Sequence, residues 1–227
     1  RRAIGTEGWE QISETNSSRL ILNGENSFTG KIIANRTANG AAYNSYVELA
    51  HDKALQHGTL ELNGYAGSTM SLAVNTNNAR IKGLTGNEHS LAYSGESSRI
   101  NLASAPTGDG NNTLTITGSE SYNYKGAVNG LNIAMDGTGT QIFSGNNIKA
   151  QNITALQGNL EFTHAPTVAD TISIAQGATL KLGESYSLNE GVTLAMIAGN
   201  GTQGTLTSTL VLNGGTLEFD STVLNAN

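Results

Sequence analysis

Apolar residues two positions apart, set among polar or small ones, recur along this chain. The pairs are Leu20/Leu22, Leu60/Leu62, Ile100/Leu102, Leu114/Ile116, Leu160/Phe162, Leu180/Leu182 and Leu217/Phe219, with Met70/Leu72 a looser copy. Glu61, Glu161, Lys181 and Glu218 fall between the members of their pairs, on the face that period-two alternation turns outward. Each pair therefore reads as a short, half-buried strand. The copies at 58–62, 177–182 and 215–219 are the closest matches to one another. Their common lead is a glycine and a threonine.

Spacing turns the strands into an architecture. Successive copies lie about 20 or about 40 residues apart, with Ile100 to Leu114 the exception. A rung of about 20–25 residues, made of three short strands with Gly or Asn corners, gives that interval. The predicted fold is all-β: a right-handed parallel β-helix, or β-solenoid, in which no rung buries its inner face without the next. Roughly ten rungs at about 4.8 Å each would make a rod near 50 Å long.

The competing arrangement is an antiparallel β-sandwich. Asn39-Gly40, Asn63-Gly64, Asn129-Gly130 and Asn213-Gly214 supply tight-turn dipeptides for it. Strands do not directly abut most of these turns, which favours the solenoid. The run 46–57 reads as a strand and a loop, although a short helix would fit its apolar positions. Residues 17–227 form one predicted β-helical segment, expected to be part of a longer array. Residues 1–16, with Trp9 and Ile12, read as an irregular lead or the remnant of an upstream rung.

Composition narrows the function classes. Gly numbers 28, Pro only 2, and charged residues make up 13% of the chain, which suits corners and β surfaces rather than a disordered polar tail. The net charge is −6 and the basic residues are scattered, so no basic stripe follows a phosphate backbone and nucleic acid is not an expected partner. No apolar run approaches the roughly 20 residues of a membrane-spanning helix. With no cysteine there is no disulfide, thiolate metal site or cysteine nucleophile.

The stretch 18–31 condenses the pattern into strand, glycine corner, aromatic and glycine corner. Within it, Leu22-Asn-Gly24-Glu-Asn26-Ser-Phe28-Thr-Gly30 resembles the passenger-associated transport repeat of autotransporter passengers. Ala54-Leu55-Gln-His-Gly58-Thr59-Leu60-Glu-Leu62-Asn-Gly64 resembles the second half of that repeat. A second copy, 116–126, has Glu120 where the family has Asn. A third, 139–147, has Gln141 at a usually apolar position. The resemblance covers about half the chain. It implies a β-helical stalk exposed on, or secreted from, a Gram-negative bacterium. It also implies a C-terminal outer-membrane barrel elsewhere in the full-length protein.

Chemistry-bearing constellations are few. Gly199-Asn-Gly201-Thr-Gln-Gly204 spells a dinucleotide fingerprint, but an alternating β-branched run follows where a phosphate site needs a helix. His51, His57, His89 and His164 lack the ligand spacing of a metal site, and no serine sits in a nucleophile elbow. Asp109-Gly110-Asn111-Asn112 reads as a turn rather than a calcium loop. Stacked rungs would bring distant acids together, Asp136 near Asp109 or Glu161 near Glu184. That keeps a β-helical polysaccharide lyase or hydrolase as an alternative. An inert spacer is the third reading.

The leading expectation is a structural and interaction protein without catalytic, cofactor or metal residues. It would adhere to host or bacterial surface glycans or proteins, or to itself, through many weak polar contacts. Tyr43, Tyr46, Tyr65, Tyr93, Tyr122 and Tyr124 are the candidate surface contacts, because tyrosine joins apolar area to a polar tip.

Overall fold

A computed structural model describes residues 9–14, 19–36, 45–95, 110–199, 201 and 203–219. The alternating pairs become strands, and the strands stack in three ladders. One ladder holds β1 (Trp9–Glu14), β3 (Lys31–Arg36), β5 (Leu55–Asn63), β7 (Asn78–Gly86), β10 (Ser121–Tyr124), β12 (Thr140–Phe143), β14 (Gly158–Phe162), β17 (Ala178–Leu182) and β20 (Thr205–Leu206). We call this the long ladder. A second stacks β2 (Arg19–Leu22), β4 (Ser45–Leu49), β6 (Met70–Val74), β8 (Ser90–Ser94), the first halves of β11 (Ala127–Met135) and β13 (Ile148–Ala155), and β15 (Thr167–Val168). The third joins the start of β7 to β9 (Thr113–Ile116), the second halves of β11 and β13, β16 (Thr171–Ala175), β19 (Thr193–Ile197) and β22 (Thr216–Phe219). A separate two-stranded sheet pairs β18 (Ser185–Asn189) with β21 (Thr209–Asn213).

Every one of these pairings is parallel. The molecule is a right-handed parallel β-helix, and the antiparallel sandwich is excluded. Seven turns carry strand on all three sides, with partial turns before and after. Register partners lie 19 residues apart at Thr140/Asn159 and 28 apart at Lys31/Thr59, so rungs vary about the expected length. One long turn separates Leu91 from its partner Ala127, 36 positions on. It contains Ile100/Leu102, which lie outside the described residues. The long ladder is nine strands deep, a rise of roughly 40 Å rather than the expected 50 Å. Trp9–Glu14, within the stretch read as lead or remnant, is paired with Lys31–Arg36.

Inward side chains stack in columns. In the third ladder Ile81, Ile116, Met135, Ala155, Ile174 and Met196 lie one above another, as do Ala79, Leu114, Ile133, Ile153, Ile172 and Leu194. In the long ladder Tyr124, Phe143 and Phe162 follow in register. The two phenylalanine rings stack 5.3 Å apart, and Tyr124 meets Phe143 edge-on at 6.0 Å. Full burial of each large side chain is worth about 1.5–3 kcal/mol. Corners are held by side chains of one rung bonding the next. Asn26 donates from Nδ2 to the Gly24 and Ala54 carbonyls, at 3.1 and 3.0 Å, beside the buried Phe28. Gly158 has a φ of +62°, and a Cβ there would lie 2.3 Å from the Gly137 carbonyl oxygen. Only glycine fits that corner.

Two features depart from simple alternation. β4 and β6 are buried on both sides, so outward-facing Tyr46, Glu48, Ser71 and Ala73 are all shielded from solvent. Leu217 and Phe219, expected as an inward pair, are 39% and 56% exposed. Among the described residues their strand, β22, pairs only with β19.

At the corner after β4, the Asp52 carboxylate accepts the Thr76 hydroxyl at 2.5 Å and the Asn78 amide at 3.0 Å. The Thr76 bond first, and then Asn78, hold the Asp52 carboxyl below its ordinary 3.8 against the opposing effect of burial. A depressed carboxyl contributes stability that is present above its unfolded value and lost as pH falls through the folded one. The stability gap between the native chain and Asp52→Asn should therefore be level near neutral pH and shrink as pH is lowered past 3.8. Urea denaturation across that range measures it.

Candidate functional site

The long ladder is broken at one seam, and the candidate site lies over the break. β7 and β10 share a single register pair, Tyr124 with Gly86. Backbone bonds flank the gap on both sides: Gly118 N donates to Lys82 O at 2.9 Å, and Lys125 N donates to Gly86 O at 3.0 Å. Between them Leu84 finds no strand. A side chain from the turn beyond fills that role. Leu84 N donates to Gln141 Oε1 at 3.1 Å, and Gln141 Nε2 donates to Leu84 O at 3.0 Å. Gln141 is 0% exposed, in register between Tyr122 and Leu160 in an otherwise apolar column. A buried backbone pair left unbonded costs about 1–3 kcal/mol per group, which the amide prevents.

Tyr122 completes the arrangement. Its parity is that of the wholly buried Tyr124, yet it is partly exposed and its ring lies over Gly83 and Gly118. A Cβ added at Gly83 would fall 2.3 Å from that ring, and one at Gly118 would fall 2.9 Å from it. Tyr122 Oη donates to Glu120 Oε2 at 3.3 Å. Burial, then the neighbouring Glu120 charge, pushes the Tyr122 phenol above its ordinary 10.0, so it remains a donor at physiological pH.

Three openings lie over the seam, each sharing a lysine with the next. The first, about 380 Å³, is lined by Thr29–Lys31, Thr59, Lys82, Thr117–Glu120 and Tyr122. The second, about 350 Å³, shares Lys31 and adds Glu61, Asn63, Thr85–Asn87, Asn123 and Lys125. The third, about 460 Å³, shares Lys125 and runs along Glu88 and the corners 126–127 and 144–147. This row of openings, the cleft, crosses the turns from β3 to β12. Lys31 Nζ meets Glu61 at 3.0 Å, and Asn63 donates to the same carboxylate at 2.8 Å. Burial would raise the Glu61 carboxyl, but the Asn63 and Lys31 bonds outweigh it and hold the group below 4.5. Lys82 and Lys125 have no ion-pair partner among the described residues.

The six candidate tyrosines are dispersed. Tyr122 lines the cleft, and Tyr65 is 45% exposed in a tight turn closed by mutual backbone bonds with Ser68. Three are core positions rather than surface contacts. Tyr124, at 0% exposed, points inward and donates its hydroxyl to Ala127 O at 3.2 Å. Tyr46 and Tyr93, 9% and 1% exposed, face outward by alternation but lie where that side of the ladder is covered. Tyr43 lies outside the described residues.

The other constellations resolve into structure. Asp136 is held by Arg80 at 2.8 Å, and Asp109 lies outside the described residues. Glu161 stands in register with Lys181, which bonds Glu184 at 3.1 Å. The Gly199–Gly204 glycines form a corner, with Gly201 N donating to Gln176 O, and a strand follows. Among the described residues no three His, Asp or Glu side chains gather to hold a metal. The cleft lysines were not singled out from sequence. The visible signal was the pair of misfits, Tyr122 and Gln141, at inward positions two rungs running. Comparison with family models, curated proteins and solved structures found no match to the chain.

Two substitutions test the seam. Gln141→Leu restores an apolar column but strips both partners from Leu84; at roughly 2–6 kcal/mol for the two groups, less the gain from the buried leucine, it should lower unfolding stability in denaturant titrations. Gly83→Ala drives a Cβ into the Tyr122 ring and should destabilise by about 1–3 kcal/mol. Most of that loss should disappear in a Tyr122→Ala background, and a double-mutant cycle reads the coupling.

Proposed function

We propose that this chain is an extracellular adhesive segment of an autotransporter-like bacterial surface protein. It holds surface glycans or proteins, or copies of itself, by many weak polar contacts along a rigid side. One observation carries the reading: a row of adjoining openings across several stacked turns, lined by Lys, Glu, Asn and Thr side chains and one tyrosine. A ladder of parallel strands keeps these groups at fixed spacing, so a repeating partner meets them without ordering a loop first. The resemblance of residues 22–30 to passenger repeats supports the same placement, with export by an outer-membrane barrel elsewhere in the protein.

Beads carrying the chain at graded density test the reading. An adhesive segment clusters beads, or binds them to bacterial or epithelial cell surfaces, with a steep dependence on surface density. Beads that stay dispersed and unbound at every density would leave only the spacer.

A further inference from the structure

We infer that the cleft over the β7–β10 seam binds a linear anionic oligosaccharide. Its carboxylate or sulfate groups meet Lys82 and Lys125, and one sugar face rests on Tyr122. The inference deepens the adhesive reading, in that it takes the same side of the rod as the binding surface and names the ligand chemistry.

Three observations converge on it. The first is the place of the fold's irregularities. A broken strand pairing, a fully buried glutamine and a tyrosine turned out of an inward register all fall at one seam. Local departures from an otherwise consistent pattern concentrate where a molecule does something besides fold. Here they set an aromatic ring, seated on Gly83 and Gly118, into the floor of a cleft.

The second is the balance of charge that is still available. The Glu61 carboxylate is taken up by Lys31 and Asn63, Glu120 accepts the Tyr122 hydroxyl, and Glu88 stands at the rim with its side chain 71% exposed. Lys82 and Lys125 lie on opposite sides of the seam and carry no ion pair among the described residues. The lining as a whole is balanced, three lysines against three glutamates, but Lys82 and Lys125 are ammonium donors that no carboxylate among the described residues holds. Charge-assisted bonds to a carboxylate or sulfate are the strong ones available to them.

The third is the lining. Thr59, Thr85 and Ser119 offer hydroxyls, while large apolar side chains other than Tyr122 are missing from the walls. A peptide would need apolar pockets for its anchors. A sugar chain needs hydroxyl and amide partners and one flat ring.

Isothermal titration of the purified chain against a heparin hexasaccharide and an oligogalacturonate, with maltohexaose as the neutral control, tests the inference. Both anionic probes should bind, and raised salt should weaken them. Lys82→Gln with Lys125→Gln should cost roughly tenfold or more in affinity, and Lys82→Arg with Lys125→Arg should keep it. Tyr122→Ala should weaken binding, while Lys149→Gln, on another ladder, should leave it unchanged. Equal binding of maltohexaose, or wild-type affinity in the Lys-to-Gln double variant, overturns the inference. So does the absence of binding to either anionic probe. If beads still adhere in those cases, the adhesive reading survives without it. Beads that stay inert while the titration succeeds would remove the adhesive reading alone.

Discussion

Everything in this molecule depends on parallel pairing between one turn and the next. A single turn has three short strands, few internal backbone bonds and an inner side too small to exclude water. Stacking satisfies both needs at once. The backbone groups that point along the axis meet the neighbouring turn, and the same step aligns Ile81 with Ile116, Met135 and Ala155 in one column. Stability is then close to a sum of neighbour terms, and each turn matters most to the two that touch it.

That constraint explains why the seam at Leu84 takes the form it does. The Tyr122 ring lies over Gly83 and Gly118, and its strand pairs with β7 only at Tyr124 and Gly86. The amide and carbonyl of Leu84 are therefore left without a strand partner on that side. Gln141 is long enough to reach across the vacant layer and carries both a donor and an acceptor at its tip, as a peptide group does. Leucine at the same position would match the column and leave the ladder unbonded. The buried amide is therefore a structural part, and the exposed ring is what its presence permits.

How much of this could be read beforehand follows from what repeats. Pairs such as Leu160/Phe162 and Leu180/Leu182 announce strands because the inner side admits only apolar groups, and their interval announces stacking. The 46–57 run was legible as strand and loop for the same reason. The fate of individual tyrosines was not. Alternation gives the side a residue faces, and for Tyr46 and Tyr93 that side is outward, but it does not say whether something covers it. Tyr122 and Tyr124 share a parity and end in opposite environments, which only the packing of Gly83 and Gln141 decides. The cleft lysines come from three different turns, and no local pattern links Lys31, Lys82 and Lys125 until the turns are stacked.

The interrupted pairing also gives the rod a grain. Along most of the long ladder, tension on the axis is shared by several backbone bonds per turn, as where Gly158 to Phe162 meets Ala178 to Leu182 in five consecutive register pairs. Between β7 and β10 one such pair stands, helped by backbone bonds from Gly118 and Lys125 at its flanks, by a side-chain amide and by the two ladders alongside. Mechanical load would part that side first. An oligosaccharide bound from Lys82 to Lys125, as inferred above, would suture the same line and stiffen the shaft there.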